Sequence, residues 1–202
     1  MTAPQLVKNK SIALETPFYA RDTRTVALEL IGKHMHSRIN GKAVSGMIVE
    51  TEAYLGTDDP ASHACRKKTP RNAVMFGPPG VSYVYFVYGN HHCVNVVTEQ
   101  DGMAGAVLIR AVEPRQGMDV MAKRRKKENQ RLLTNGPGKV AQAFGLTKKH
   151  SGMTLSGCSS FWISEEKERA TCDIDVTPRI GIREGTDLLY RYSLKGNPWV
   201  SG

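Results

Sequence analysis

With 202 residues the chain is long enough to bury a core without disulfides or metals to hold it, and no apolar run approaches the length of a bilayer span. Lys and Arg number 28 against 19 Asp and Glu, a formal net charge of +9, which favours a polyanionic partner but also suits a merely soluble basic protein. Cys65, Cys93, Cys158 and Cys172 form no Cys-x-x-Cys pair, and the N-terminal MTAPQLVKNK has no apolar segment of a leader, so reduced thiols and a cytoplasmic location are expected, at the nucleoid if the source is bacterial.

In chain order, Asp22 is placed to cap a helix over TRTVALELIG, with Val26, Leu28, Leu30 and Ile31 as its apolar face and Gly32 as its stop. Two strand-like runs, HMHSRI and SGMIVETEAYL, flank Asn40-Gly41 and predict a hairpin. The segment 56–79 is polar and turn-rich, a long connection of the kind that carries function or is disordered, and holds the basic cluster Arg66, Lys67, Lys68 and Arg71. SYVYFVYGNHHCVNVVT then alternates β-branched and aromatic residues about Gly89-Asn90, which predicts a second hairpin with Tyr88 at its tip. A turn at 100–102 and the apolar AGAVLIRAVEP, with Arg110 at its centre, extend it to a three-stranded meander.

Residues 116–127 read as a helix whose basic end, KRRKK, is most simply a solvated terminus. Asn135-Gly136-Pro137-Gly138-Lys139 opens a further helix that ends at Gly145, and its first-turn amides could meet a phosphate. The remaining third reads as strands that complete the sheet. No repeat or composition shift divides the chain, so residues 1–202 are expected to form one α+β domain on a curved, mostly antiparallel sheet flanked by helices, with about 15 flexible residues at the N-terminus.

Glu50 and Glu52 lie two apart and therefore share a strand face within an otherwise apolar segment. Either could be a general base holding water; the bland alternative is a strand-edge glutamate paired with Arg or Lys. Tyr54 shares the face of Glu52, and Tyr83 and Tyr85 share another, so several rings could stand near one carboxylate, as core packing would also arrange. His63, His91, His92 and Cys93 raise a zinc site, but adjacent strand residues face opposite ways and no second pair has ligand spacing, so no metal is assigned.

Six blocks taken together, VETEAYLG (Val49–Gly56), SHACRKKTPRN, YVYFVYGNHHCVNV, LIRAVEP, NGPGKVAQA and NPWVS, resemble the alkyladenine (methylpurine) DNA glycosylase family in order and spacing over residues 17–200. The resemblance implies a monofunctional enzyme that flips alkylated or deaminated purines from duplex DNA and hydrolyses the N-glycosidic bond, as a monomer and without a cofactor. It implies that Glu52 activates water, helped by Arg110 and by the backbone carbonyl of Ile180. Tyr54, His63 and Tyr85 would enclose the extruded base, Asn95 would form the pocket floor, and Tyr88 would fill the gap in the duplex. Arg66, Lys67, Lys68, Thr69, Arg71 and Lys139 would meet the DNA backbone. The turn departs from the mammalian pattern in carrying Asn90 and His91 where bulkier groups stand. Two other readings stay open: a non-catalytic nucleic-acid-binding module with the same basic surface and stacking tyrosines, and a metal-dependent nuclease using Glu50, Glu52, Asp101 and the histidines.

Overall fold

Asp22 caps as its position suggests: its Oδ1 accepts the Thr25 N–H at 2.9 Å. The computed structural model describes residues 12–87, 89–155, 159–165 and 173–202, and in it the short helix α1 (Thr16–Tyr19) precedes the capped helix α2 (Thr23–Leu30). α2 buries Val26, Ala27 and Leu30. Leu28, expected on that face, is exposed instead, because it lies about 200° around the helix from both Val26 and Leu30.

Asn40 and Gly41 both adopt positive φ, 52° and 70°, the backbone that a two-residue hairpin turn requires. The turn joins β1 (His34–Ile39) to β2 (Lys42–Tyr54) in the expected hairpin. The meander is present as well, with β3 (Ser82–Val87), β4 (His91–Val97) and β5 (Ala106–Gln116) pairing in turn. β2 is long enough to serve several neighbours. β5 runs along one of its edges, while β1 and β8 (Arg191–Leu194) take successive parts of the other. β6 (Phe161–Ser164) pairs with β1, and β7 (Ile174–Thr177) with β8. Among the described residues the result is one curved sheet of eight strands, antiparallel at each of these pairings, in an α+β fold.

Helices α3 (Met118–Arg125) and α4 (Pro137–Phe144) complete the layer work. α4 starts on Pro137 and stops at Gly145, whose φ of 73° is the left-handed cap that glycine favours. Val140 and Phe144 of α4 join Leu30, Ile48, Val96, Ile109 and Phe161 in the core. The basic end of α3 is not simply solvated: Arg124 donates to the Ala143 and Ile39 carbonyls at 3.0 and 3.1 Å, and Arg125 to Gln142. These guanidiniums join α3 to α4 and to the β1 turn, while Lys123, Lys126 and Lys127 remain exposed.

The long connection 56–79 is held by Asn72, itself almost fully buried. Its Nδ2 donates to the His63 and Lys67 carbonyls, and its Oδ1 accepts the Thr69 N–H at 2.6 Å. Tyr88, the cysteines Cys158 and Cys172, and residues 1–11, which include most of the segment expected to be flexible, lie outside the described residues.

Candidate active site

The register between β2 and β5 skips Val49 on one strand and Arg110 on the other. Bulges of this kind turn a strand and re-aim its side chains. Here they bring Glu50 and Glu52, both fully buried, to a single guanidinium. Arg110 lies 3.0 Å from Glu50 through Nε and 3.1 Å from Glu52 through Nη1.

The two carboxylates have different company. Glu50 accepts from the Arg191 Nε at 2.6 Å, from the Ser201 N–H at 2.7 Å and from the Ser201 hydroxyl at 2.9 Å, so both of its oxygens are engaged. Glu52 accepts the Ile180 N–H on Oε1 at 2.7 Å and the Tyr54 hydroxyl on Oε2 at 2.8 Å. Burial, and then the Glu52 charge, hold the Tyr54 hydroxyl far above the usual tyrosine range, so it is a permanent donor.

In front of Glu52 lies a cleft of about 310 Å³, within the range of small-molecule sites. Tyr54, His63, Tyr85, Asn95, Arg110 and Ile180 all line it, as do Tyr83 and Cys93. The structure thus collects the six lining residues that the sequence singled out from five separate segments. Glu52 itself does not line the cleft but sits directly behind three residues that do. Ile180 meets Glu52 through its amide N–H, whereas the sequence reading assigned a role to its carbonyl.

His63, on the outer rim, packs edge-on to Tyr85 with ring centroids 4.6 Å apart, and its Nδ1 is 2.9 Å from the Tyr83 hydroxyl. Burial of its packed face, then the nearby Arg71 charge, lower its pKa, so the ring is neutral at pH 7. Asn95, which lines the cleft, is itself buried, and its Nδ2 donates to the Tyr83 carbonyl at 3.0 Å, which fixes the amide plane.

The basic residues expected at a DNA backbone are spread more widely. Arg66, Lys67, Lys68 and Arg71 are exposed on the loop that Asn72 anchors, Thr69 is within that loop's turn, and Lys139 turns its ammonium to the Asn135 carbonyl and Oδ1.

Sequence reasoning missed the support beneath the cleft. Arg179, fully buried, forms a bidentate pair with Asp59 at 2.6 and 2.7 Å and donates to the Ala53 carbonyl. Its guanidinium also lies over the Tyr54 and Tyr190 rings at 4.7 and 5.2 Å. One side chain therefore fixes the Tyr54 wall and, through the next residue, the Ile180 amide. An arginine amid Thr-Pro-Arg-Ile-Gly carries no periodic signal, and Ser201 lies 151 positions from its partner Glu50. The sequence hint for Ser201 was its place at the end of the NPWVS block.

The family model of methylpurine-DNA glycosylase (MPG) matches residues 17–198. The chain belongs to this family. Relatives of the family include proteins from Prosthecochloris aestuarii, 48% identical over 91% of this chain and 88% of its own length, and Chlorobaculum tepidum, 47% identical over 93% and 90%. A third, from Carboxydothermus hydrogenoformans, is 48% identical over 93% of this chain and 98% of its own. All three bear the name "Putative 3-methyladenine DNA glycosylase". Among the described residues of this family member, no three His, Cys, Asp or Glu side chains converge as a metal site, and no helix is long and apolar enough to cross a membrane.

Proposed function

We propose that the protein is a monofunctional DNA glycosylase that extrudes an alkylated or deaminated purine from duplex DNA and hydrolyses its bond to deoxyribose, leaving an abasic site. The names of its relatives point to the same class of reaction. The observation that carries the mechanism is the placement of Glu52: a buried carboxylate immediately behind an aromatic cleft, oriented by Tyr54, Ile180 and Arg110.

A base stacked in a duplex cannot present its glycosidic bond to an enzyme, so the nucleotide must leave the stack, at a cost of a few kcal/mol. Tyr88 fills the vacancy, and the basic loop with Lys139 grips the backbone. The extruded base enters between Tyr54 on one side and Tyr85 with His63 on the other, with Asn95 beneath. A carboxylate offers about four lone-pair positions. On Glu52, Oε1 serves both Ile180 and Arg110, while Oε2 serves Tyr54 alone and keeps a lone pair for the proton of one water. Because Glu52 is closed to bulk solvent, the nucleophile is a single held water whose oxygen bonds to C1′ as the C–N bond breaks toward the base. The sugar becomes oxocarbenium-like on the way, and the negative charge of Glu52 stabilises it. A purine alkylated on a ring nitrogen departs as a neutral molecule, and a deaminated purine departs as an anion that takes its proton from solvent. The chemistry proceeds without an imine, so the strand stays intact.

The test uses duplexes that each carry one defined lesion, with alkali to reveal abasic sites. Wild type should release the base in the presence of a chelator, and borohydride should trap no protein–DNA adduct. Glu52→Gln keeps shape and removes basicity; it should abolish release while lesion binding stays within about tenfold of wild type. Near-normal release by the variant would move the chemistry to another residue, and a trapped adduct would replace hydrolysis by a covalent route.

A further inference from the structure

The buried charges around the cleft are answered in pairs. Arg110 and Arg191 meet Glu50, Arg110 also meets Glu52, and Arg179 is held by Asp59. Arg183 and Glu184 also line the cleft, both as exposed side chains, one of each sign. Arg71 differs. It projects from the anchored loop, its Cζ lies 5.7 Å from the centre of the Tyr85 ring, and among the described residues it pairs with no carboxylate. Its charge reaches the cleft: it opposes the burial that pushes the Tyr83 hydroxyl up to about 12, and it lowers His63. Tyr83, Tyr85 and His63 form one aromatic wall, with neighbouring centroids 4.6 to 6.1 Å apart.

That wall has two opposite effects on a cationic guest. The electron-rich ring faces attract a purine that alkylation has made positive. The Arg71 guanidinium beside the Tyr85 ring repels it at short range, although its own side chain is exposed to solvent. A neutral purine feels neither force strongly.

We propose that Arg71 is a specificity-determining residue: its positive charge beside the Tyr85 ring of the Tyr83–Tyr85–His63 wall, paired with no carboxylate among the described residues, lowers the preference of the cleft for cationic purines relative to neutral ones. The inference rests on the base-excision reading above. It differs from a role in gripping the backbone, because a phosphate contact carries no information about the base and affects all duplexes alike.

The experiment compares single-turnover excision from two duplexes that differ in one base, 7-methylguanine (cationic) or hypoxanthine (neutral). Arg71→Met should raise the ratio of the first rate to the second by about three- to tenfold, and Arg71→Lys, which keeps the charge, should stay near the wild-type ratio. If both rates fall by a common factor in Arg71→Met, or if Arg71→Lys shifts the ratio as much as Met does, the proposal is overturned. Should wild type excise neither base, the fault lies with the base-excision reading, and the His63 ring titration in DNA-free protein decides for Arg71. A higher His63 pKa in Arg71→Met supports the reach of its charge into the cleft, and an unmoved titration overturns it.

Discussion

Glu50 and Glu52 are two residues apart on one strand, yet their neighbours give them separate work. Glu50, with two guanidiniums and both polar groups of Ser201 on its oxygens, is an anchor for Arg110, which is the paired-glutamate reading moved from a strand edge into the interior. Glu52 keeps the open lone pair. Asn95 shows the same economy: its Nδ2 is tied to the Tyr83 carbonyl, so the orientation of its amide is set in advance. If that amide opposes the exocyclic amine that guanine carries and hypoxanthine lacks, guanine meets a steric clash and an unmatched donor. Asn95→Ser, which makes space and removes the amide, is then expected to raise excision of undamaged guanine relative to hypoxanthine. Single-turnover rates on two duplexes differing only in that base give the ratio; no movement toward guanine would assign the rejection to another part of the cleft.

At the scale of elements, the site depends on how β2 and β5 slip past one another. A third register shift falls at Gly46, where an added Cβ would lie 2.5 Å from the Glu113 carbonyl oxygen and 2.6 Å from a Val112 methyl. Backbone at that distance cannot step aside as a flexible side chain would. Gly46→Ala should therefore cost about 1–3 kcal/mol, as overpacking in a core does, and its effect should reach Glu50 and Arg110 through the same ladder. Denaturant unfolding beside excision kinetics checks both parts; an unchanged midpoint would show that the strands separate at this point without cost. The two hairpins and the meander were legible because alternation and Gly-containing turns are local signals, as Asn40-Gly41 illustrates. Glu52, Tyr54 and Arg110 could be singled out for being charged or polar in apolar strands. The bulges at Val49 and Arg110, the docking of β8 beside β1 on β2, and the Arg179–Asp59 pair were not legible, since each arises only when segments far apart in sequence meet.

For the molecule as a whole, acid should be a sharper stress than the positive net charge alone suggests. His36 is packed between β1 and β6, stacked on Trp162 at 4.9 Å with Nε2 2.8 Å from the Ser164 hydroxyl. Burial, then the neighbouring His34, bring its pKa down to about 4 from the ordinary 6.5. Between those two values the unfolded chain binds a proton that the folded protein refuses, so stability falls as pH drops from 6.5 to 4 and the loss levels off below. After allowance for partial exposure, the loss at pH 5 should be about 1–2 kcal/mol. His36→Gln should remove that part of the slope in unfolding curves taken at pH 7 and pH 5; an equal slope in both proteins would assign the acid sensitivity to other groups.

The Ser201 contact also has a meaning in time. Glu50 and Arg110 are made early on the ribosome, yet the partner that supplies both an N–H and a hydroxyl to Glu50 emerges 151 residues later. Contacts across so long a separation form slowly and late, because the intervening chain must first be ordered. A nascent chain that already holds most of its sheet would still leave Arg110 without its full set of neighbours. The buried charge cluster beneath the cleft is therefore among the last features of the fold to be completed.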